Sequence, residues 1–433
     1  MIKILQVRNI DSFVESRRQK TSEKDRKTVQ AILNDVRKNG DIAVKKYERK
    51  FNGIKTSQLR VSAKEIKEAR SKISISEKAA IKDMWTMFRE QEREYLKILP
   101  SYKFEGGDPS DRFTGFRLRI TKSFIPILSV GCYIPGGQAR YPSSAVMSIT
   151  TAKLAGVKRI VVASPPGRDG KIDPLTITAA KLCGATEIYK VGGAQAIGAL
   201  AYGTKSMPKV DKIVGPGGKF VSIAKSLVSD QTAIDMVAGP TELGIMADAS
   251  SDPELVALDL ISQAEHSKDT MCFVITQSKT MAKQIQKSIE KLIPGTKRSS
   301  IIKESISKNG FIAICKNENE VIELANKIAP EHLELMVGNA KSLSKKITGA
   351  GLLLIGKNTP SAASDYILGT NHILPTNGFG RTRGGLSVLD FLKLQTVVES
   401  KKSTSKNMSD SLKALTDAEG LPNHYKAVKR RLD

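Results

Sequence analysis

Only four histidines occur in this 433-residue chain, His266, His332, His372 and His424, and each stands beside a carboxylate, an amide or a loop signal. Imidazole is the side chain best suited to exchanging a proton near neutrality and to ligating a divalent metal, so the four are candidates for one shared site. In Leu258-Asp-Leu-Ile-Ser-Gln263-Ala-Glu265-His266, a three-residue spacing puts Gln263 and His266 on one face near the end of a helix expected over 252–266. A metal could be held there; a plain helix-end histidine is the alternative. In Ala329-Pro330-Glu331-His332 the proline ends a helix and the chain enters a strand. A carboxylate next to an imidazole at the mouth of a parallel strand, where open α/β sheets place their sites, suits proton transfer, and an exposed ion-paired histidine is the other reading. The loop from Ser364 to Thr376 is dense in Asp, Asn, His, Gly and Pro; Asp365 is a candidate ligand and His372 a candidate substrate contact. Glu419 and His424 add a carboxylate and an imidazole near the chain end.

Three glycine-rich turns each follow an expected strand and open an expected helix: Gly131 to Gly137, Gly192-Gly193-Ala-Gln195, and Gly215-Pro-Gly217-Gly218. Backbone N–H groups at such turns can face a pyrophosphate, although none reads GxGxxG and a strand-to-helix turn needs no ligand. Cys132, Cys183, Cys272 and Cys315 have no CxxC spacing and read as reduced core residues; Cys132 as a nucleophile has no base nearby in sequence.

The elements that must position these groups follow from hydrophobic period. Helical spacing of Val29, Ile32, Leu33 and Val36, a capping box at Ser62 and Glu65, and a helix from about Ser76 to Leu96 make the first hundred residues mainly helical. After a polar loop over 105–112, short apolar runs at 129–134, 159–163, 187–191 and 212–214 alternate with helical patterns. A second series follows at 243–247, 271–276, 311–315, 333–337 and 351–355, with helices expected over 252–266, 278–292 and 318–328. This rhythm implies an α/β fold with parallel sheets covered on both faces, read as two doubly wound Rossmann-like modules. The expected division is an N-terminal segment over 1–28, a discontinuous first module over 29–131 and 241–386, which holds the candidates Gln263, His266, Glu331, His332 and Asp365, and a second module over 132–240, which holds the glycine-rich turns at Gly192 and Gly215. From Ser387 a small helical C-terminal tail is expected, 387–433.

With 40% hydrophobic and 26% charged residues the chain can build a large core. No apolar run approaches a membrane span and no secretory segment opens the chain, so a cytoplasmic protein is expected. The net charge of +25 raises the question of nucleic acid. The lysines are dispersed and no basic stripe carries interleaved aromatics, so a solvated basic surface is the preferred reading over a nucleic-acid interface.

From about Val29 to His424 the chain resembles the histidinol dehydrogenase family, on the strings VGCYIPGG with YPSS, VGGAQAIGALAYGT, VDKIVGPGG, DMVAGPTE, DLISQAEH, APEHLEL, SDYILGTNHILPT and GLSVLDFLK. The resemblance implies oxidation of L-histidinol to L-histidine through the aldehyde, with two NAD and one zinc per subunit. It implies zinc ligands Gln263, His266 and Asp365 with His424 of the partner subunit, hence a homodimer. Manganese or cobalt could replace zinc. The catalytic couple implied is Glu331 and His332, and substrate contacts fall on Thr241, His372 and Glu419 together with Gln263, His266, His332, Asp365 and His424. Thr241 stands where the family usually has Ser. Tyr133 and Gln195 match the family's NAD contacts, whereas Gly218 stands where the family has Asn. A relative acting on another amino alcohol or a polyol is the alternative.

Overall fold

A computed structural model of the chain describes residues 1–18, 22–54, 58–106, 118–136 and 140–432. The turn residue Gly137 and part of the expected 105–112 loop lie outside the described residues. In chain order the strands are β1 Lys3–Gln6, β2 Tyr102–Gly106, β3 Leu118–Pro126, β4 Ser129–Tyr133, β5 Arg159–Ser164, β6 Glu187–Lys190 and β7 Lys212–Val214. They continue as β8 Ala233–Ile234, β9 Glu242–Ala247, β10 Met271–Thr276, β11 Phe311–Ile314, β12 His332–Met336, β13 Leu352–Ile355 and β14 Leu392–Ser400. Contacts divide the chain into two compact units, Met1–Arg93 with Ile127–Phe391, and Glu94–Pro126 with Leu392–Asp433.

The first unit holds two parallel sheets, ordered β1-β11-β10-β9-β12-β13 and β6-β5-β4-β7-β8. In both, the order reverses beside the first strand of its series, β9 in one and β4 in the other. Strands such as β9 and β10 are buried along their whole length because both faces are covered, and each sends alternate side chains into different cores. On one face of the six-stranded sheet Leu243, Ile245, Cys272, Val274 and Ile312 pack against helices Pro253–Ala264, Lys279–Leu292 and Ser299–Asn309. On the other, Met246, Phe273, Ile275, Phe311 and Leu335 pack against Glu318–Ile328. Burying each large apolar side chain contributes about 1.5–3 kcal/mol, which makes these interleaved faces the main force that fixes strand register.

The helices Glu23–Asn39 and Asp41–Asn52 were expected with the first module but place Val29, Ile32, Leu33, Val36 and Val44 in the core of the five-stranded sheet, beside Tyr133, Val161 and Ile213. Helical period identifies a buried stripe; it does not say which sheet buries it. Likewise β1, inside the expected 1–28 segment, extends the six-stranded sheet by pairing with β11.

The second unit corrects the expectation of a purely helical tail. Its residues 392–400 form β14, antiparallel to β3, which pairs in turn with β2. The segment Leu392-Lys-Leu-Gln-Thr-Val-Val-Glu-Ser400 alternates with period two and is β-branched at its centre, a strand signal masked by its polar content. Helices Lys402–Asn407, Ser409–Ala418 and Pro422–Lys429 follow. Among the described residues no helix is long and apolar enough to cross a membrane.

Candidate active site

Helix Glu318–Ile328 ends on Ala329, which takes a left-handed conformation at φ 51° and ψ 63°, and Pro330 then prevents the helix from resuming. The next residues are Glu331 and His332, which opens β12. Thr241 and Glu242 occupy the corresponding position at the start of β9, and the two strands are neighbours with His332 opposite Leu243. The cluster therefore sits at the amino ends of these strands. Open parallel sheets ordinarily carry sites at their carboxyl ends, so the expected strand mouth is the opposite one. The five-stranded sheet keeps the ordinary polarity: Pro135 follows β4 and the Gly215–Gly218 turn follows β7. Between these turns and the amino ends of β9 and β12 lies a cavity of about 680 Å³.

Gly218, Thr241, Gln263 and His266 line this cavity, as do Glu331, His332, Asp365 and His372. Residues as much as 154 positions apart, from Gly218 to His372, thus meet around one space. Gln263 lies in the last turn of helix Pro253–Ala264 and is buried, while His266 falls just beyond the helix end. Asp365 caps the short helix Ser361–Ser364.

His332 is almost fully buried. Its Nδ1 lies 3.3 Å from the backbone carbonyl of Glu242, an acceptor only, so Nδ1 carries a proton and donates it. The other ring nitrogen, Nε2, faces Asp365 Oδ1 at 3.6 Å, and neither atom has a hydrogen-bond partner. Burial alone would lower the His332 pKa, but the carboxylates of Asp365 and Glu331 outweigh it and hold it up at about 9. Asp365 is driven the other way: burial opposes its ionisation, and His332 with the more distant His372 and His266 more than compensates. Burial lowers both His266 and His372. The Nδ1 of His372 donates to the Asp365 carbonyl at 3.3 Å, leaving Nε2 to accept from the Ser144 hydroxyl at 3.0 Å.

Glu331 is pushed up to about 8, chiefly by burial. Its Oε2 accepts the N–H of Glu242 at 2.9 Å, while Glu242 Oε2 accepts the N–H of Glu331 at 3.2 Å. Glu242 Oε1 also accepts from Asn377 N at 2.9 Å, and burial raises its pKa to about 7. Ser144 and Glu242 carried no role in the sequence reading, although both lie inside quoted strings, YPSS and DMVAGPTE. Chemically the cluster combines a base aligned on a buried carboxylate with a second carboxyl whose affinity for protons is set near neutrality.

Other expected contacts lie elsewhere. Tyr133 ends β4 and its hydroxyl accepts from Gly193 N at 3.1 Å. Gln195 is buried in helix Gly193–Tyr202, its Nε2 donating to Glu48 at 2.8 Å and its Oε1 unpaired. Neither lines the cavity. Glu48, buried in helix Asp41–Asn52, also accepts the Gly192 N–H at 2.9 Å, a support that period alone could not reveal. Glu419 follows helix Ser409–Ala418 and His424 lies in Pro422–Lys429; both belong to the second unit and are exposed there. Among the described residues no group of three or more His, Cys, Asp and Glu forms a metal cage. Of the expected zinc set, only His266 and Asp365 in the first unit are of those types, with the Gln263 amide as a third donor.

The sequence model of the histidinol dehydrogenase family matches residues 15–432. Histidinol dehydrogenase from Methanococcus maripaludis is 43% identical over 407 residues, covering 94% of this chain and 93% of its own. The one from Oceanobacillus iheyensis is 40% identical over 400 residues, covering 92% and 91%. Among solved structures, histidinol dehydrogenase from Elizabethkingia anophelis superposes with a TM-score of 0.90 at 32% identity, over 100% of this chain and 98% of that one.

Proposed function

This chain belongs to the histidinol dehydrogenase family, and from that premise we propose that it oxidises L-histidinol to L-histidine through the aldehyde. The first oxidation removes a hydride from carbon and a proton from the hydroxyl. Water then adds to the aldehyde, and the second oxidation removes another hydride and two protons from the hydrate to leave the carboxylate, four electrons in all. When bound, NAD takes up the hydride of each oxidation, and a divalent cation, zinc by preference, holds and polarises the substrate.

Gln263, His266 and Asp365 are the residues of this unit that would hold the cation, with His424 of the partner subunit completing the set. The fit rests on the buried, unpaired Oδ1 of Asp365 in the same cavity as the Gln263 amide and the His266 imidazole. His332 takes the alcohol proton on Nε2, since its Nδ1–H is committed to the Glu242 carbonyl; that committed tautomer is the observation that carries the reading. With Asp365 engaged elsewhere, the strongest pull holding a proton on Nε2 is withdrawn. Glu331, with its pKa raised to about 8, serves as the base that activates water at the aldehyde stage. Thr241, His372 and Glu419 would orient the substrate.

We read both sheets as doubly wound modules, with the dinucleotide over the carboxyl ends of β4, β6 and β7. Gln195 Oε1, unpaired and buried, is available to a donor on the cofactor; Tyr133 and the Gly218 turn complete that side. Homodimer formation through the second unit is supported by the exposure of Leu394, Val397 and Val398 on β14.

The test is to incubate pure protein with L-histidinol, NAD and zinc, following NADH and histidine together. Two NADH per histidine is expected. Turnover of other amino alcohols or polyols in preference to L-histidinol, or one NADH with aldehyde accumulating, would overturn the proposal.

A further inference from the structure

Glu242 is 2% exposed, and the reaction outlined above makes no use of its side chain. Both carboxylate oxygens are nevertheless occupied by backbone donors from segments that build the cavity: Oε2 by Glu331 N–H and Oε1 by Asn377 N–H. The contact with Glu331 is reciprocal, because Glu331 Oε2 takes the Glu242 N–H. The backbone carbonyl of Glu242 holds His332 Nδ1. One residue thus touches the main chain of Glu331, the side chain of Glu331 and the ring of His332.

The surrounding backbone is consistent with a site held against its own preference. Among the described residues only two non-glycine residues have positive φ: Ala329, two positions before Glu331, and Asn377, the donor to Glu242 Oε1. Left-handed conformations outside glycine persist where neighbours over-determine them, and such positions gather at functional sites. Here Glu242 grips the segments that follow or contain both.

We propose that Glu242 is a positioning residue of the oxidation, whose carboxylate aims Glu331 at the substrate. The inference rests on the role given to Glu331 under the proposed function. A purely structural account also exists, since a buried acid at the amino ends of two parallel strands would satisfy N–H groups that the sheet leaves without partners. The two accounts differ in what they do to the two half reactions. A Glu242→Gln substitution leaves the Glu242 backbone, and hence its hold on His332, in place. It sets an amide NH2 against either the Glu331 N–H or the Asn377 N–H, so the carboxylate no longer holds both segments together and the Glu331 main chain loses that restraint. Alcohol oxidation should therefore change little, while aldehyde oxidation suffers.

The experiment measures kcat and KM separately for L-histidinol and L-histidinal oxidation in Glu242→Gln, Glu331→Gln and the unmodified enzyme, with thermal unfolding recorded alongside. The expected result is a loss of aldehyde kcat of about tenfold or more over any loss of alcohol kcat, with KM values little changed. Equal losses in both half reactions, or none, in Glu242→Gln while Glu331→Gln shows the bias, would overturn the positioning role alone. Absence of the bias in Glu331→Gln itself would remove the assigned role of Glu331 and this inference with it. If Glu242→Gln does not fold, Glu242→Asp, which keeps both oxygens but falls one methylene short, is judged by the same ratio.

Discussion

Replacing Gly218 by Asn is the sharpest test of the cofactor side. Gly218 is the N-cap of helix Lys219–Val228, with φ −65° and ψ 173°, an extended conformation open to any residue. A Cβ added there would meet nothing within 4 Å, and no side chain caps the helix. The substitution is therefore free of strain, and its amide has two possible uses. If it reaches the cofactor, one neutral hydrogen bond contributes about 0.5–1.5 kcal/mol, which lowers the NAD dissociation constant about two- to tenfold. If it folds back on its own helix, it gains only a few tenths of a kcal/mol over glycine as a cap, while the restricted unfolded chain adds about 0.4–1 kcal/mol to stability. Calorimetric titration with NAD and a denaturant melt separate these uses. Tighter NAD binding is expected; a dissociation constant unchanged or weaker, with a more stable fold, would refute the assignment of this position to the cofactor.

Further outcomes follow from the same geometry. His332→Asn should block alcohol oxidation while sparing more of the aldehyde stage, and a rate on L-histidinol within about threefold of the unmodified enzyme would discard His332 as the base. Exhaustive chelation should abolish turnover, with activity regained on adding zinc, manganese or cobalt; full activity in a preparation shown metal-free by elemental analysis would remove Gln263, His266 and Asp365 from the ligand set. Glu92, to which the proposed reaction gives no role, is buried against the Val388 N–H at 3.1 Å, and burial raises its pKa to about 7. The folded state then binds its proton more tightly than the unfolded chain, so this contribution to stability is full below the ordinary value of 4.5 and is lost as pH rises towards 7. The loss is up to about 3 kcal/mol. Glu92→Gln should flatten that slope and be more stable than the parent at pH about 8; denaturant curves with identical pH slopes would contradict it.

Much of this is legible in the amino-acid sequence. The strands at 212–214 and 271–276 and the helix Glu318–Ile328 follow apolar runs and helical period directly, because each buries side chains within its own neighbourhood. What period could not supply was partnership. Val29 to Val36 announce a buried stripe without naming the five-stranded sheet as its partner, and β14 hides its alternation among Lys, Gln, Thr and Glu. The site was legible as a set of residue types: Gln263, His266, Glu331, His332, Asp365 and His372 do meet in one cavity. Glu242 and Ser144 were not, since their importance arises from a reciprocal bond across neighbouring strands and from a hydroxyl brought 228 positions along the chain to His372.

The opposed polarity of the two sheets at the cavity has a practical corollary for redesign. The turns after β4 and β7 belong to a different series of strands from the segments that lead into β9 and β12, and they can be varied separately where bonds between the walls, such as Gly215 N–H to Asp235 Oδ2 at 2.8 Å, are kept. Libraries directed at dinucleotide preference and libraries directed at the alcohol accepted could thus be built independently and recombined. Effects that fail to add when the two are crossed would then mark residues that couple one wall to the other.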